Sequence, residues 1–295
     1  MFGRVNPPGL VYKIDLSKIA DRANPRTVEA PIRSQGQEAV IVDWGDGSTP
    51  EEYPASISAN PSHDYTNATG DIFTVVIRSA TGHFPLIRLS NADTAGATPT
   101  LNLTLAVTSV DHFAGWCGNS STSIESQYLA RNCANLTYYD PRLMGLPKWS
   151  HFGSAFYGAG LNQPLESFCL DFLTEATSFI ATFGFCASLP GAIPEGFFDG
   201  CINVTSLNQC FRDCTSLTSI PAGLCDKNTA VTSFQSMFYN CSGLTGSPFV
   251  FWKNDGTLDK TKWPDLTTGN YCYSGCSAAV RAQVPVAYGG TMTVS

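Results

Sequence analysis

The feature that most constrains this chain is a pair of consecutive stretches that repeat each other. Val204-Thr-Ser-Leu207-Asn-Gln-Cys-Phe211-Arg-Asp-Cys214-Thr-Ser-Leu217 is followed, 27 residues on, by Val231-Thr-Ser-Phe234-Gln-Ser-Met-Phe238-Tyr-Asn-Cys241-Ser-Gly-Leu244. The shared template is Val-Thr-Ser-apolar-x-x-x-Phe-x-x-Cys-x-x-Leu. Agreement at so many positions and one offset marks a repeat. A fixed period of about 20–50 residues is the signature of a stacked array, because one unit cannot bury its apolar face alone.

The register extends in both directions. Ala176-Thr-Ser-Phe179, with Phe183, Cys186 and Leu189, fits fully 28 residues before the Val204 unit. Trp149-Ser-His-Phe152, with Phe156 and Ala159, keeps the ring and replaces cysteine by another small residue. Leu266-Thr-Thr-Gly269, with Tyr273 and Cys276, fits more loosely. At the front, Val107-Thr-Ser-Val110 leads to Cys117, and a degenerate unit around Tyr128 to Leu136 contains Cys133. About seven units are expected from roughly residue 100 to 280, with atypical ones at both ends as capping requires.

The second half of the unit repeats too: Ile193-Pro-Glu-Gly-Phe197-Phe-Asp199 matches Ile220-Pro-Ala-Gly-Leu224-Cys-Asp226. Leu217-Thr-Ser-Ile220 alternates apolar and polar residues and predicts a short strand, which proline then ends for want of an N–H donor. Apolar residues at Leu207, Cys210, Phe211 and Cys214 have 3- and 4-residue spacing, which predicts a short helix over Ser206 to Asp213. One short strand and one or two helical turns per unit give a curved solenoid. The pattern resembles the BspA-like leucine-rich repeat, whose units carry a Phe-x-x-Cys step before the Leu-rich strand. The resemblance covers about two-thirds of the chain and is strong over residues 176–245.

Eleven cysteines would ordinarily suggest a disulfide framework. The register gives them another role. Cys117, Cys133, Cys186, Cys214, Cys241 and Cys276 share one repeat position, which Ala159 also fills. They are expected as a ladder of reduced, buried residues, since free cysteine behaves as a small hydrophobe. Serine there should then cost more than alanine, through burial of a hydroxyl. No metal is expected, because Cys210-x-x-x-Cys214 and Cys272-x-x-x-Cys276 lack zinc-site spacing and histidine partners.

The first hundred residues contain no repeat unit. Val40-Ile-Val-Asp43-Trp44-Gly45-Asp46-Gly47 is an apolar run broken by a turn signal. His63-Asp-Tyr65 and Gly70-Asp-Ile-Phe73-Thr-Val-Val-Ile77 follow, with earlier strands at Tyr12 to Ile14 and Val28 to Ile32. Short strands between Pro, Gly and Asn clusters predict an all-β sandwich with Trp44, Tyr65 and Phe73 in its core. Asp43-Trp-Gly-Asp-Gly, His63-x-Tyr65 and Gly70-x-x-Phe73-Thr-Val together resemble the PKD domain, an immunoglobulin-like sandwich in which the His-x-Tyr pair braces the next strand. Asp43 and Asp46 could form half of a calcium site, but the favoured reading is a turn at Asp46-Gly47 with aspartate side chains bonding backbone amides. The expected division is a PKD-like domain over residues 1–95 and a repeat domain with a terminal cap over 96–295, so the fold class is mixed and β-rich.

Net charge of −7 and the lack of a basic stripe argue against nucleic acid. No run is long and apolar enough to span a membrane, and the first residues lack the apolar core of a secretory signal. No Gly-x-Ser-x-Gly, P-loop or His-Glu-x-x-His motif occurs, so no catalytic residue and no cofactor is expected.

The step from Cys241 to Cys276 exceeds the previous period by eight residues, and the excess carries Phe249, Phe251, Trp252 and Trp263. Such insertions map to solenoid surfaces, which makes these four aromatics candidate binding residues. The other reading has the aromatics complete the core and cap the last unit. These features lead to the expectation of a non-enzymatic bacteriophage virion component, a head or tail appendage displaying its repeats for attachment. Other virion proteins and a host surface receptor or glycan are its expected partners, with homo-oligomerisation left open. The alternative is a bacterial cell-surface or secreted adhesin of the BspA-like type. A carbohydrate-active enzyme on a β scaffold is a third reading without a motif behind it.

Overall fold

The computed structural model describes residues 9–20, 25–31, 39–54, 61–79, 83–84, 89, 103–114, 116–117, 124–125, 129–140, 149–168, 170–171 and 173–294. The fold is β-rich with open sheets and almost no helix. Its contacts divide it into two compact units, Met1–Thr122 with Leu129–Leu143 and Ser123–Tyr128 with Met144–Ser295.

The first unit contains β1 (Gly9–Asp15), β2 (Thr27–Glu29), β3 (Val40–Asp43), β4 (Glu51–Tyr53), β5 (Ser62–Asp64), β6 (Ile72–Ser79) and β7 (His83–Phe84). A one-turn helix, α1 (Leu103–Ala106), leads into β8 (Val107–Ala114) and β9 (Trp116–Cys117). β10 (Ile124–Glu125) belongs to the second unit, and β11 (Tyr138–Tyr139) returns to the first. Six strands make one sheet in the order β11-β8-β1-β6-β3-β4, while β2 pairs with β5 and β7 with β9.

Alternation decides which face is buried. Leu10, Tyr12 and Ile14 of β1 are buried, as are Phe73, Val75 and Ile77 of β6 and Val40 and Val42 of β3. Register shifts in the β1/β8 pairing change the parity of β8, so Val107 and Val110 both reach the core at three-residue spacing. Trp44, Tyr65 and Phe73 are buried as expected, with the Tyr65 ring 4.4 Å from Phe73. Arg26 closes the loop before β6: its guanidinium donates to the carbonyl oxygens of Tyr65 and Gly70 at 2.8 and 2.7 Å and pairs with Asp71.

The units do not part at residue 95. Val107-Thr-Ser-Val110, read as the first repeat, is an interior strand of the N-terminal sheet, antiparallel to β1 and parallel to β11. Its threonine nevertheless behaves as a repeat threonine. The Thr137 N–H and hydroxyl both donate to the Thr108 carbonyl oxygen, at 2.9 and 3.2 Å. The local Cys–Leu turn is also present here, with the Leu136 N–H on the Cys133 oxygen at 3.0 Å. Residues 95 and 96, where the expected division falls, lie outside the described residues.

In the second unit β10 lies parallel to β12 (Trp149–His151). From there a line of parallel bridges joins His151, Ser178, Ser206, Ser233 and Thr268. These bridges link five copies of the template, called coils below; of the seven units expected, those at Val107 and Tyr128 to Leu136 fall largely in the first compact unit. A second parallel pairing, β13 (Gly191–Ala192) with β14 (Leu217–Ser219), matches the strand expected before Pro221.

The helix expected over Ser206 to Asp213 does not form. The segment is a run of turns in which Gln209 and Asp213 take φ of 56° and 58°. Ala181 and Phe185, Ser236 and Asn240, and Ser154 and Gly158 repeat this left-handed pair in the other coils. A left-handed residue at every fourth position leaves every second N–H directed toward the following coil. Leu207, Gln209, Phe211 and Asp213 donate to the oxygens of Ser233, Gln235, Met237 and Tyr239 at 2.7–3.3 Å. The intervening amides bond three residues back, as Cys210 does to Leu207 at 3.1 Å. No amide is left for an i→i−4 helical ladder. The apolar spacing was informative all the same, since Leu207, Cys210, Phe211 and Cys214 are all fully buried.

After the last coil, α2 (Ala278–Arg281) is capped by the Ser277 hydroxyl, which accepts the Val280 N–H and itself donates to the Leu244 oxygen. The Tyr273 N–H, which a further coil would otherwise receive, donates to the Tyr288 oxygen at 2.9 Å.

Candidate binding surface

Two inward rows and one row nearer the surface fix the coils. Phe156, Phe183, Phe211, Phe238 and Tyr273 stack ring on ring with centroids 5.6–5.7 Å apart and planes within 23°. Beside them, the thiols of Cys186, Cys214, Cys241 and Cys276 each donate to the carbonyl oxygen of the phenylalanine one coil earlier, at 3.0–3.1 Å. Each of those oxygens already accepts an amide from within its own coil, so the thiol fills its second lone pair. Burial pushes the Cys186 and Cys276 thiols up to about 12 and holds Cys214 and Cys241 well above the ordinary thiol value. The third row is threonine: Thr177, Thr205, Thr232 and Thr267 each bond the preceding coil through both N–H and hydroxyl.

The structure separates the expected cysteine ladder into parts. Cys186, Cys214, Cys241 and Cys276 form the row just described. Cys133 is buried but its thiol faces the Leu89 oxygen in the first unit. Cys117 lies in β9, and its side chain falls outside the described residues. Nine described cysteines are free and buried, including Cys201, Cys210, Cys225 and Cys272, which are off the row.

The four aromatics of the insertion do not project. Phe249, Phe251 and Trp263 are fully buried, and Trp252 is 7 % exposed. Trp263 packs edge-on to Phe234 and Phe249 at 5.5 and 5.7 Å, and Trp252 stacks on Tyr288 at 5.5 Å. The Tyr273 hydroxyl donates to the Phe249 oxygen at 2.7 Å. The inserted residues thus widen and close the core of the last coils. They are not surface anchors.

The large side chains that reach solvent occupy the template's variable positions. Between the core phenylalanines and the position of the cysteines come Tyr157, Phe185, Arg212 and Tyr239, Phe185 two residues after Phe183 and the others directly after their phenylalanine, and they touch in sequence up the stack. The Tyr157 and Phe185 rings are 4.9 Å apart. The Arg212 guanidinium lies 5.5 Å from the Phe185 ring and 4.7 Å from that of Tyr239. Asp213 holds Arg212 at 3.1 Å and accepts the Asn240 amide at 2.5 Å. Sequence reasoning missed this row because it averaged over the variable positions. The signal lay in the residues between Phe and Cys, which are the outward ones.

A second polar cluster lies in the first unit. His63 stacks on Trp44 at 5.1 Å, with Nε2 2.9 Å from Asp46 Oδ2 and Nδ1 3.4 Å from Glu51 Oε1. The Tyr65 hydroxyl donates to the Trp44 oxygen at 2.9 Å. Burial would raise the Asp46 carboxyl, but hydrogen bonds from Ser48 and His63 outweigh it and hold it at about 2. Asp46 and Asp43 also accept the N–H groups of Ser48 and Gly45, the turn-forming role expected of them. Among the described residues no group of three or more His, Cys, Asp or Glu has an arrangement that holds a metal ion. No helix described is long and apolar enough to cross a membrane. No protein family, curated protein or solved structure matches the chain.

Proposed function

We propose that this chain is a non-enzymatic attachment protein whose stacked coils serve as a rigid display scaffold and which also carries a sheet domain. The observation that carries this reading is the outward row Tyr157, Phe185, Arg212 and Tyr239, held in contact from coil to coil over a core with every inward position filled. Rings and an arginine fixed in place lose little freedom on binding, and these residue types concentrate binding energy at interfaces.

The finer fold assignment we favour is a PKD-like, immunoglobulin-type sandwich followed by BspA-like leucine-rich repeats. The Trp44, His63 and Tyr65 cluster supports the first, and the repeated parallel bridges with their Phe and Cys rows support the second. The setting we favour is a bacteriophage virion, with other virion proteins and a host receptor as partners. The ladder thiols support it. Each acts as an S–H donor, a role only the reduced form can play, which suits a chain that folds in a reducing cytoplasm and is carried out within a particle. A bacterial surface adhesin is the competing reading. Mass spectrometry of purified phage particles against outer-envelope fractions of the bacterium separates the two. Recovery only from envelopes overturns the virion reading.

A further inference from the structure

We infer that the outward face of the five coils binds a neutral polysaccharide; this rests on the attachment reading above and adds the ligand's chemical class. The first observation is how charge is distributed along the chain. The five coil segments 151–158, 178–185, 206–213, 233–240 and 268–275 total forty residues, and Arg212 and Asp213 are their only Lys, Arg, Asp or Glu. At the 14% charged content of the whole sequence, five or six would be expected. The segments between these coils carry thirteen, from Glu166 to Asp265. Solvent-facing positions ordinarily hold lysine and glutamate. Here they are confined to the connecting segments, and the one ion pair on the coil face neutralises itself at 3.1 Å.

What replaces charge on that face is amide, hydroxyl and aromatic ring. Asn208, Gln209 and Asn240 bond Ser233, Arg212 and Asp213, while Gln235 and Asn270 offer a paired donor and acceptor, a geometry that spans neighbouring hydroxyls on a sugar. Gln235 and Asn270 are exposed, and among the described contacts their side chains make no hydrogen bond. Phe185 is 40% exposed and Tyr271 61%. The negative face of an aromatic ring attracts the slightly positive C–H groups that line one side of a pyranose. An acidic or basic ligand would find no counter-charge here.

The face is also poor in exposed aliphatic side chains. Ile180 is the one large aliphatic side chain exposed on it among the described residues. A protein interface is built round a contiguous apolar centre. A row of rings and one self-neutralised arginine among amides, running along the stack, suits an extended uncharged polymer of hydroxylated rings.

The test is affinity electrophoresis of the full chain through gels containing a β-glucan, an α-glucan, a galactomannan or, as an acidic control, polygalacturonate. At least one neutral polymer is expected to retard the protein. Phe185→Ala and Tyr271→Ala should each weaken that retardation about tenfold without moving the melting temperature, while Phe185→Trp retains it and Lys227→Ala, on a connecting segment, leaves it unchanged. Retardation by the acidic polymer alone, by no polymer, or equally by wild type and both alanine variants overturns the proposal. Binding of the wild type to phage particles or host cells in parallel keeps the two readings apart. Cell or particle binding without polymer binding removes the glycan and leaves attachment standing; absence of both removes attachment as well.

Discussion

The Cys214 thiol sits 3.0 Å from the Phe183 carbonyl oxygen, one coil back, and that oxygen also accepts the Cys186 N–H. The contact ties two coils through a side chain small enough to lie under the ring stack. It explains why a residue with a donor recurs where alanine also fits, at Ala159.

It also changes the expected order of substitutions at this position. A serine hydroxyl at Cys214 has an acceptor waiting, so the penalty for a buried hydroxyl without a partner does not apply. Cys214→Ser and Cys214→Ala should each cost about 1 kcal/mol. Cys214→Val, bulkier and without a donor, should cost about 1–3 kcal/mol by overpacking. Urea unfolding of the three variants tests this. Valine tolerated as well as serine would show that the thiol merely fills space.

Alkaline pH should unfold the coils. The ladder thiols ionise less readily when folded than when unfolded, because burial disfavours the thiolate. Below the unfolded thiol value of about 8.5 both states are protonated and no stability is lost. Above it the unfolded chain gains by ionising, so stability falls as pH rises toward the folded value of about 12. Thermal melts from pH 7 to 10.5 should decline steeply above about pH 8.5. A flat profile would contradict the burial of these thiols. By the same reasoning, native protein should react with a thiol reagent at neutral pH only at its unfolding rate.

The first unit should show the opposite dependence. Asp46 titrates at about 2 when folded, against about 3.9 in an unfolded chain. Its stabilisation is therefore complete above about pH 4 and is lost as pH falls toward 2, a contribution of order 1 kcal/mol. Tryptophan fluorescence of Asp46→Asn against wild type, from pH 6 to 2.5, should show a difference that shrinks with acidity. A constant difference would mean that the hydrogen bonds matter and the charge does not.

Trp263→Ala should lower the unfolding free energy by about 3–5 kcal/mol, since the ring is fully buried against Phe234 and Phe249. A melting temperature unchanged by this substitution would return the insertion to the surface.

Ala181→Gly separates a run of turns from a helix. Ala181 has φ of 53°, where a side chain is strained and glycine is not. The substitution should be neutral or stabilising by up to about 1 kcal/mol, whereas a helix interior would lose about that amount. Measured destabilisation of that size would favour the helical reading over the turns.

Much of this molecule was legible from spacing. The template picked out Phe183, Phe211 and Phe238 and the Cys186, Cys214 and Cys241 row, all of which are buried. The strand before Pro221 and the buried Trp44, Tyr65 and Phe73 followed from alternation and turn residues. Spacing does not report which way an amide points. Apolar residues at 207, 210, 211 and 214 fit a helix, and they fit equally a chain of turns whose alternate N–H groups serve the next coil.

The sequence by itself determined the period, the inward side chains and the place where the period breaks, because burial of an apolar face is periodic and therefore written in the order of residues. Only the tertiary structure decided three things. β8 became an interior strand of the N-terminal sheet because its backbone pairs with β1, a choice made by hydrogen bonds to a distant strand. Trp252 and Trp263 turned inward because the widened last coils left volume for them beside Phe234 and Tyr288. Phe185, Arg212 and Tyr239 came together because stacking sets the outward residues of successive coils, 27 or 28 positions apart in register, next to one another. Each outcome depends on contacts between residues remote in the chain, and local order does not encode which of several apolar or hydrogen-bonding partners will be nearest once the chain has closed on itself.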